Sequence, residues 1–134
     1  MAAYRRALAG RPDLADAANN LGRLHHDRDE LVAAEALYRL AISATGGAAS
    51  SGEVALYSFN LGVVLEDTGR DAEAIGCYER AVDLEPSLAD AHFNLSRQLE
   101  QIGRRGDDEL VMRRAVRHLA RYRDLVRSTG NGLG

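Results

Sequence analysis

At 134 residues, 46% hydrophobic and 28% charged, the chain has the size and composition of one soluble domain with a buried core. Aromatic residues make up only 5% and Trp is absent, which favours closely packed helices over sheet. A net charge of -3 argues against nucleic acid as a partner of the whole domain. In chain order, residues 1–12 carry a helical stripe with Tyr4 and Ala7, and Pro12-Asp13 opens the next helix with Asp13 as its expected N-cap. Two amphipathic patterns follow, split near Asp27-Arg28-Asp29. The run TGGAASSG then reads as a flexible connector, and its Ser50, with Glu53 three residues later, is expected to box the start of the following helix. Ala55 to Leu88 holds two further helical patterns around Thr68-Gly69-Arg70-Asp71, closed by Pro86. Beyond it Ser87 and Asp90 offer another cap, and the next helix is expected to end near Ile102-Gly103. After a turn over Arg104 to Asp108, one long helix is predicted from about Asp107 to Val126, with Val111, Ala115, Leu119, Tyr122 and Val126 facing inward. The tail STGNGLG is expected to be disordered.

Asn60-Leu61-Gly62 has counterparts in Asn20-Leu21-Gly22, forty residues earlier, and Asn94-Leu95-Ser96, thirty-four later. Tyr78 and Ala81 match Tyr38 and Ala41, and these match Tyr4 and Ala7. A shared register over four units marks a repeat array. The Leu-Gly, the Ala74-x3-Tyr78 spacing and the late Pro86 resemble the tetratricopeptide repeat, a helix–turn–helix unit of about 34 residues. Ser58 stands where that family usually has a large aromatic. The resemblance implies an all-α, right-handed solenoid of stacked helix–turn–helix repeats. We expect one domain over 1–128, comprising a truncated repeat's second helix (1–12) and repeats at 15–48, 55–88 and 89–128. The last ends in an extended capping helix, with a tail at 129–134. Two registers fit that last helix, one ungapped through Met112 and Ala115, the other shifted by seven through Ala115 and Leu119.

The resemblance further implies that the first helix of each repeat lines a concave groove that binds a peptide or protein segment. The function expected is a non-enzymatic scaffold or adaptor. Asn20, Asn60 and Asn94 share the sixth position counted from Ala15, Ala55 and Ala89, and carboxamides can grip a peptide backbone through donor and acceptor alike. Three residues on stand Arg23, Val63 and Arg97, where guanidiniums would suit a carboxylate-bearing ligand unless local pairing, such as Arg23 with Asp27, occupies them. Phe59 and Phe93, one residue before each Asn, are placed to stack on ligand side chains. The clamp that chaperone-tail receptors of this fold use is not reproduced: Asp16, Leu56, Asp90 and Asn94 stand at its basic positions.

Other chemistry finds little support. Cys77 is alone, which excludes a disulfide framework and a Cys-based metal site and suits a reducing cytoplasm. The adjacent His25 and His26 diverge on a helix, His92 and His118 are isolated, and no phosphate loop or nucleophile elbow is present. Neither catalytic residues, cofactor nor metal is therefore expected. Arg113, Arg117 and Arg121 form a basic stripe, but acidic neighbours dilute it, so nucleic acid is disfavoured. No apolar run approaches the roughly 18 residues of a membrane span, and MAAYRRALAG lacks the apolar core of a secretory signal. A cytoplasmic location is therefore expected, and the use of Arg for all 17 basic residues points to a bacterial source. The missing first helix points to a fragment of a longer protein or to self-association, as a homo-oligomer, through the Tyr4–Ala7 face. A second function is a sensing or dimerisation domain of a larger bacterial regulator.

Overall fold

The amphipathic stripes are too short to bury themselves singly, so the chain folds as helical hairpins that cover one another. The computed structural model describes residues 12–46 and 50–133. Six helices run through them: α1 (Pro12–Asp27), α2 (Leu31–Thr45), α3 (Ser51–Asp67), α4 (Asp71–Leu84), α5 (Ala89–Gly106) and α6 (Glu109–Leu133). No strand occurs among the described residues. Each odd-numbered helix pairs with the next as a hairpin, and α3 and α5 also pack on the preceding hairpin. The result is the expected all-α right-handed solenoid. The truncated helix expected over 1–12, with its self-associating Tyr4–Ala7 face, lies almost wholly outside the described residues.

The three hairpin turns are built alike. In each, a residue in the left-handed region closes the helix: Asp29 (φ 61), Gly69 (φ 79) and Asp107 (φ 50). Backbone bonds Glu30 N–His25 O, Arg70 N–Leu65 O and Asp108 N–Gly103 O span the three corners at 2.8 to 2.9 Å. These are the paired bonds that satisfy the last carbonyls of a helix. Aspartate tolerates this backbone better than most residues, which is why Asp29 can replace the glycine of the next repeat.

The third layer departs from expectation. From Ala55 the left-handed residue is fourteen positions on, whereas from Ala89 it is eighteen. Thus α5 carries one extra turn, and it ends at Gly106 instead of near Gly103. Counted from the turn, Gly103 then takes the place of Leu65 and Met112 that of Ala74. The bulk has changed sides: a Cβ on Gly103 would lie 2.7 Å from Met112 Sδ. An open cleft of about 240 Å3 beside Ser96, Met112, Ala115 and Leu119, reaching out to Arg104 and Val116, lies in this layer. The inward face of α6 runs through Val111, Ala115, His118, Leu119 and Tyr122, but Val126 is 48% exposed, because the face drifts towards Leu125. The helix continues to Leu133, past the point where a disordered tail is expected.

Of the three caps expected from the sequence, one forms and two do not. Ser50 Oγ accepts the Glu53 N–H at 3.2 Å, as the spacing predicts. Asp13 falls inside the first turn of α1 and is not its N-cap. The pair Ser87 and Asp90 does not form, since Leu88 occupies the N-cap and the Ser87 hydroxyl donates to Glu85 at 2.6 Å.

The core is a column of small and aromatic side chains. Ala34, Ala41, Ala74 and Ala81 are fully buried, and Tyr38 and Tyr78 fill the space beside them. Each buried tyrosine contributes on the order of 2 kcal/mol through apolar burial. Tyr57 plugs the junction of the first two layers among Ala15, Ala18, Ala41 and Ala44. On the outer helices, ion pairs link successive layers: Glu35 with Arg70, Arg39 with Glu73 at 3.5 Å, and Glu79 with Arg114 at 2.5 Å. Half-exposed pairs of this kind are worth about 0 to 1 kcal/mol each, so they set layer register more than stability.

Candidate binding groove on the inner helices

Asparagine at the sixth position of three successive inner helices suggests a uniform ladder, but the structure puts each in a different setting. Asn20 is exposed and donates to its own helix, to Asp16 Oδ2 at 3.5 Å. Asn60 is half-buried and donates across the layer boundary to Asn19 Oδ1 at 2.9 Å. Asn94 reaches Tyr78 Oη at 3.4 Å. Two of the three amides therefore bind neighbouring layers through Nδ2, which leaves their Oδ1 atoms for other partners.

Asn19, only 2% exposed, is the residue that sequence reasoning passed over. It occupies the register position of Phe59 and Phe93, forty and seventy-four residues on, and that shared position was the available signal. A buried amide in an aromatic's place needs a partner, and Asn60 supplies it.

Arg97 is engaged. Its Nη2 lies 2.9 and 2.7 Å from the two Glu66 carboxylate oxygens, and the Tyr78 hydroxyl donates to Glu66 Oε1 at 3.0 Å. Asn94, Tyr78, Glu66 and Arg97 thus form one chain of polar contacts across the second and third layers. Burial, aided by the Glu66 charge, pushes the Tyr78 phenol pKa far up, so the ring stays a neutral donor. The first layer has a parallel arrangement. There His26 takes the Glu66 position, with Nδ1 at 3.4 Å from Tyr38 Oη and Nε2 at 2.7 Å from Asp67 Oδ2. Burial likewise raises the Tyr38 pKa. Arg23 is exposed, and no ion pair holds it among the described residues; the expected local pairing with Asp27 does not form.

The apolar part of the face is laid out between these polar rows. Phe59 is half-buried against Tyr78, with ring centroids 5.8 Å apart. Phe93 meets Tyr122 of α6 at 5.0 Å yet stays 41% exposed, and Leu56 is 42% exposed. Val63 is half-buried beside them. The inner face therefore offers an apolar strip, carbonyl oxygens of asparagines and flanking charge.

His92 and His118, at the junction of α5 and α6, form a pair instead of standing isolated. His92 Nε2 lies 2.9 Å from the Pro86 carbonyl, which can only accept, so this nitrogen carries hydrogen. His92 Nδ1 then accepts from His118 Nδ1 at 3.0 Å when His92 is neutral. Burial first, then His92, Arg114 and Arg117, hold the His118 pKa below 6.5, while Glu79 opposes them. The unfolded chain therefore binds this proton more readily than the folded one, and stability falls as pH drops through 6.5 towards the lower folded value. The melting midpoint should decline between about pH 7.5 and about pH 5.5, and His118→Gln should flatten that decline. An equal pH response in both proteins would show that His118 is not the source of the decline.

A cleft of about 550 Å3 on the outer surface is lined among others by Arg39, Ile42, Ser58, Gly76, Cys77 and Arg80. Its floor is Ser58, 1% exposed, where a larger side chain would close the space. Burial pushes the Cys77 thiol pKa up, which keeps the sulfur protonated and unreactive. The basic stripe of Arg113, Arg117 and Arg121 lies exposed on the outside of α6, with Arg113 paired to Glu109 at 3.5 Å. Among the described residues no helix is long and apolar enough to cross a membrane, and no cluster of three or more His, Cys, Asp or Glu could hold a metal ion.

Comparison with known proteins agrees with the geometry. A tetratricopeptide repeat family model matches residues 2–52, and a second model, of the TPR repeat, matches residues 62–96. Among solved structures, the crystal structure of MamA superposes with a TM-score of 0.72 at 21% identity. That match covers 87% of this chain and 61% of the MamA chain, so the present chain is shorter than its neighbour. A MamA mutant superposes with a TM-score of 0.66 at 26% identity, covering 90% of this chain and 79% of the mutant chain. No curated protein matches the sequence.

Proposed function

Taking as premise that the chain belongs to the tetratricopeptide repeat family, we propose that its inner-helix groove holds a segment of another protein. The domain then acts as a non-enzymatic scaffold or adaptor. The observation that carries this reading is the exposure of Phe93 and Leu56, at 41% and 42%, on the same face as Asn20, Asn60 and Asn94. Large apolar side chains gain little from being displayed to water, whereas a bound segment would cover them. In this reading Phe59 and Phe93 hold ligand side chains, and the asparagine carbonyls accept N–H groups of an extended backbone. Arg23 contacts the ligand directly, while Arg97, fixed by Glu66, shapes the floor beneath it.

Capture of binding partners from source lysate tests the proposal, using wild type, an Asn20/Asn60/Asn94→Ala triple variant and Phe93→Ala. Wild type should retain partners that Phe93→Ala loses and the triple variant holds roughly tenfold more weakly, as expected when a few central residues dominate an interface. Identical partner sets from all three proteins would make the ladder and the aromatic structural and would remove the groove as the site.

A further inference from the structure

The charge on the inner face says what kind of segment fits it. The inner helices carry the carboxylates Asp16, Asp27, Glu66, Asp67, Asp90 and Glu100 beside the cations Arg23, Arg97 and Arg104, in a chain whose whole net charge is only -3. Several of these charges are already answered within the fold. Arg97 is bound to Glu66, His26 to Asp67, and Arg104 to Glu100 at 2.7 Å. Asp16, Asp27 and Asp90 have no cation beside them among the described residues, and all three are exposed. Of these, Asp16 and Asp90 share the second register position of α1 and α5, and the residue between them, on α3, is the exposed Leu56. One row across the groove therefore reads carboxylate, apolar side chain, carboxylate.

We infer that the partner is a basic segment, with Lys or Arg side chains set on either side of an apolar residue. The inference rests on the groove reading above and adds its chemistry. The apolar residue covers Leu56 and Phe93, and the flanking cations meet Asp16 and Asp90. Arg23 repels cations at one end of the groove and so favours one direction of the bound chain. An acidic segment would instead bring its charge against carboxylates that no cation among the described residues neutralises, and like-charge contacts of this kind are a strong means of exclusion.

Selection of random peptides displayed on phage, with wild-type protein as bait, tests this for any partner sequence. Selected sequences should be enriched in Lys or Arg around an apolar residue. Their affinity, read by fluorescence anisotropy, should fall by about tenfold in Asp16→Asn/Asp90→Asn and by a similar factor when salt rises from roughly 0.05 to 0.5 M, because exposed charges are screened over a few Å. Both substitutions are at exposed sites, and an unchanged melting curve would show that the variant is folded. Neutral or acidic peptides that bind wild type but not Phe93→Ala would overturn the charge inference and leave the groove reading intact. Peptides indifferent to both variants, or no selected peptides at all, would overturn both.

Discussion

Gly62→Leu should remove the cooperative melt of the array, or lower its midpoint more than any other single change on the inner helices. A Cβ at this position would stand 2.6 Å from Tyr78 Cε1 and 2.8 Å from Cδ1. The ring cannot retreat: it is fully buried, its hydroxyl is held by Glu66 at 3.0 Å, and Phe59 lies against it. Leucine adds three carbons beyond that Cβ. Overpacking a dense core costs about 1 to 3 kcal/mol and more when nothing can yield, against a total stability of only about 5 to 15 kcal/mol for a domain. Gly76 supplies the contrast. It lies within α4, is exposed, and a Cβ there meets nothing within 4 Å. Gly76→Ala should therefore stabilise the protein by about 0.5 to 1 kcal/mol through helix propensity and a less flexible unfolded chain. Circular dichroism melting of both variants decides the matter. Equal small shifts would mean that helix content, and not close approach of α3 to Tyr78, sets stability here.

The first two layers were legible because their signals are local and repeat at one spacing. Leu-Gly, Ala, Tyr and Ala recur forty residues apart, and Asp29 or Gly69 marks each turn. The third layer misled for a physical reason. The extra turn in α5 moves the left-handed residue to Asp107, while Gly103 and Gly106 both look like turn glycines; Gly103 is in fact the flat surface that admits Met112. Neither of the two registers considered for α6 anticipates an insertion of four.

For the groove, position could be read and bonding could not. Asn20, Asn60 and Asn94 do share a register, but each finds a different partner: Asp16 on its own helix, Asn19 and Tyr78 across layer boundaries. Glu66 and Arg97 are thirty-one residues apart and His26 and Asp67 forty-one, so neither pair is visible to rules for neighbours on one helix. His92 and His118 met for the same reason, through packing of α5 on α6. Cross-layer contacts depend on the identity of each residue at its register position, and that is where this chain differs from a uniform repeat.

Tyr78→Ala is the second large effect and separates packing from hydrogen bonding in the central layer. Removing a fully buried aromatic leaves a cavity that the surrounding alanines cannot collapse into, a loss of about 3 to 5 kcal/mol. Tyr78→Phe keeps the ring and removes only the hydroxyl, which donates to Glu66 at 3.0 Å and accepts from Asn94 at 3.4 Å. Its cost should be nearer 1 kcal/mol, because Arg97 still holds the Glu66 carboxylate and Asn94 can turn towards water. Since burial and Glu66 both push the phenol pKa upward, the hydroxyl contribution should not change across neutral pH. Urea titration distinguishes the two variants further. Tyr78 belongs to the middle of three hairpins, where each layer is held mainly by its neighbours. The alanine variant should therefore uncouple the first hairpin from the third, with a broadened transition and a smaller dependence on denaturant, while the phenylalanine variant should keep a single steep transition at lower urea. A Tyr78→Ala transition as steep as wild type would mean that the outer-helix ion pairs, and not the tyrosine column, carry cooperativity between layers.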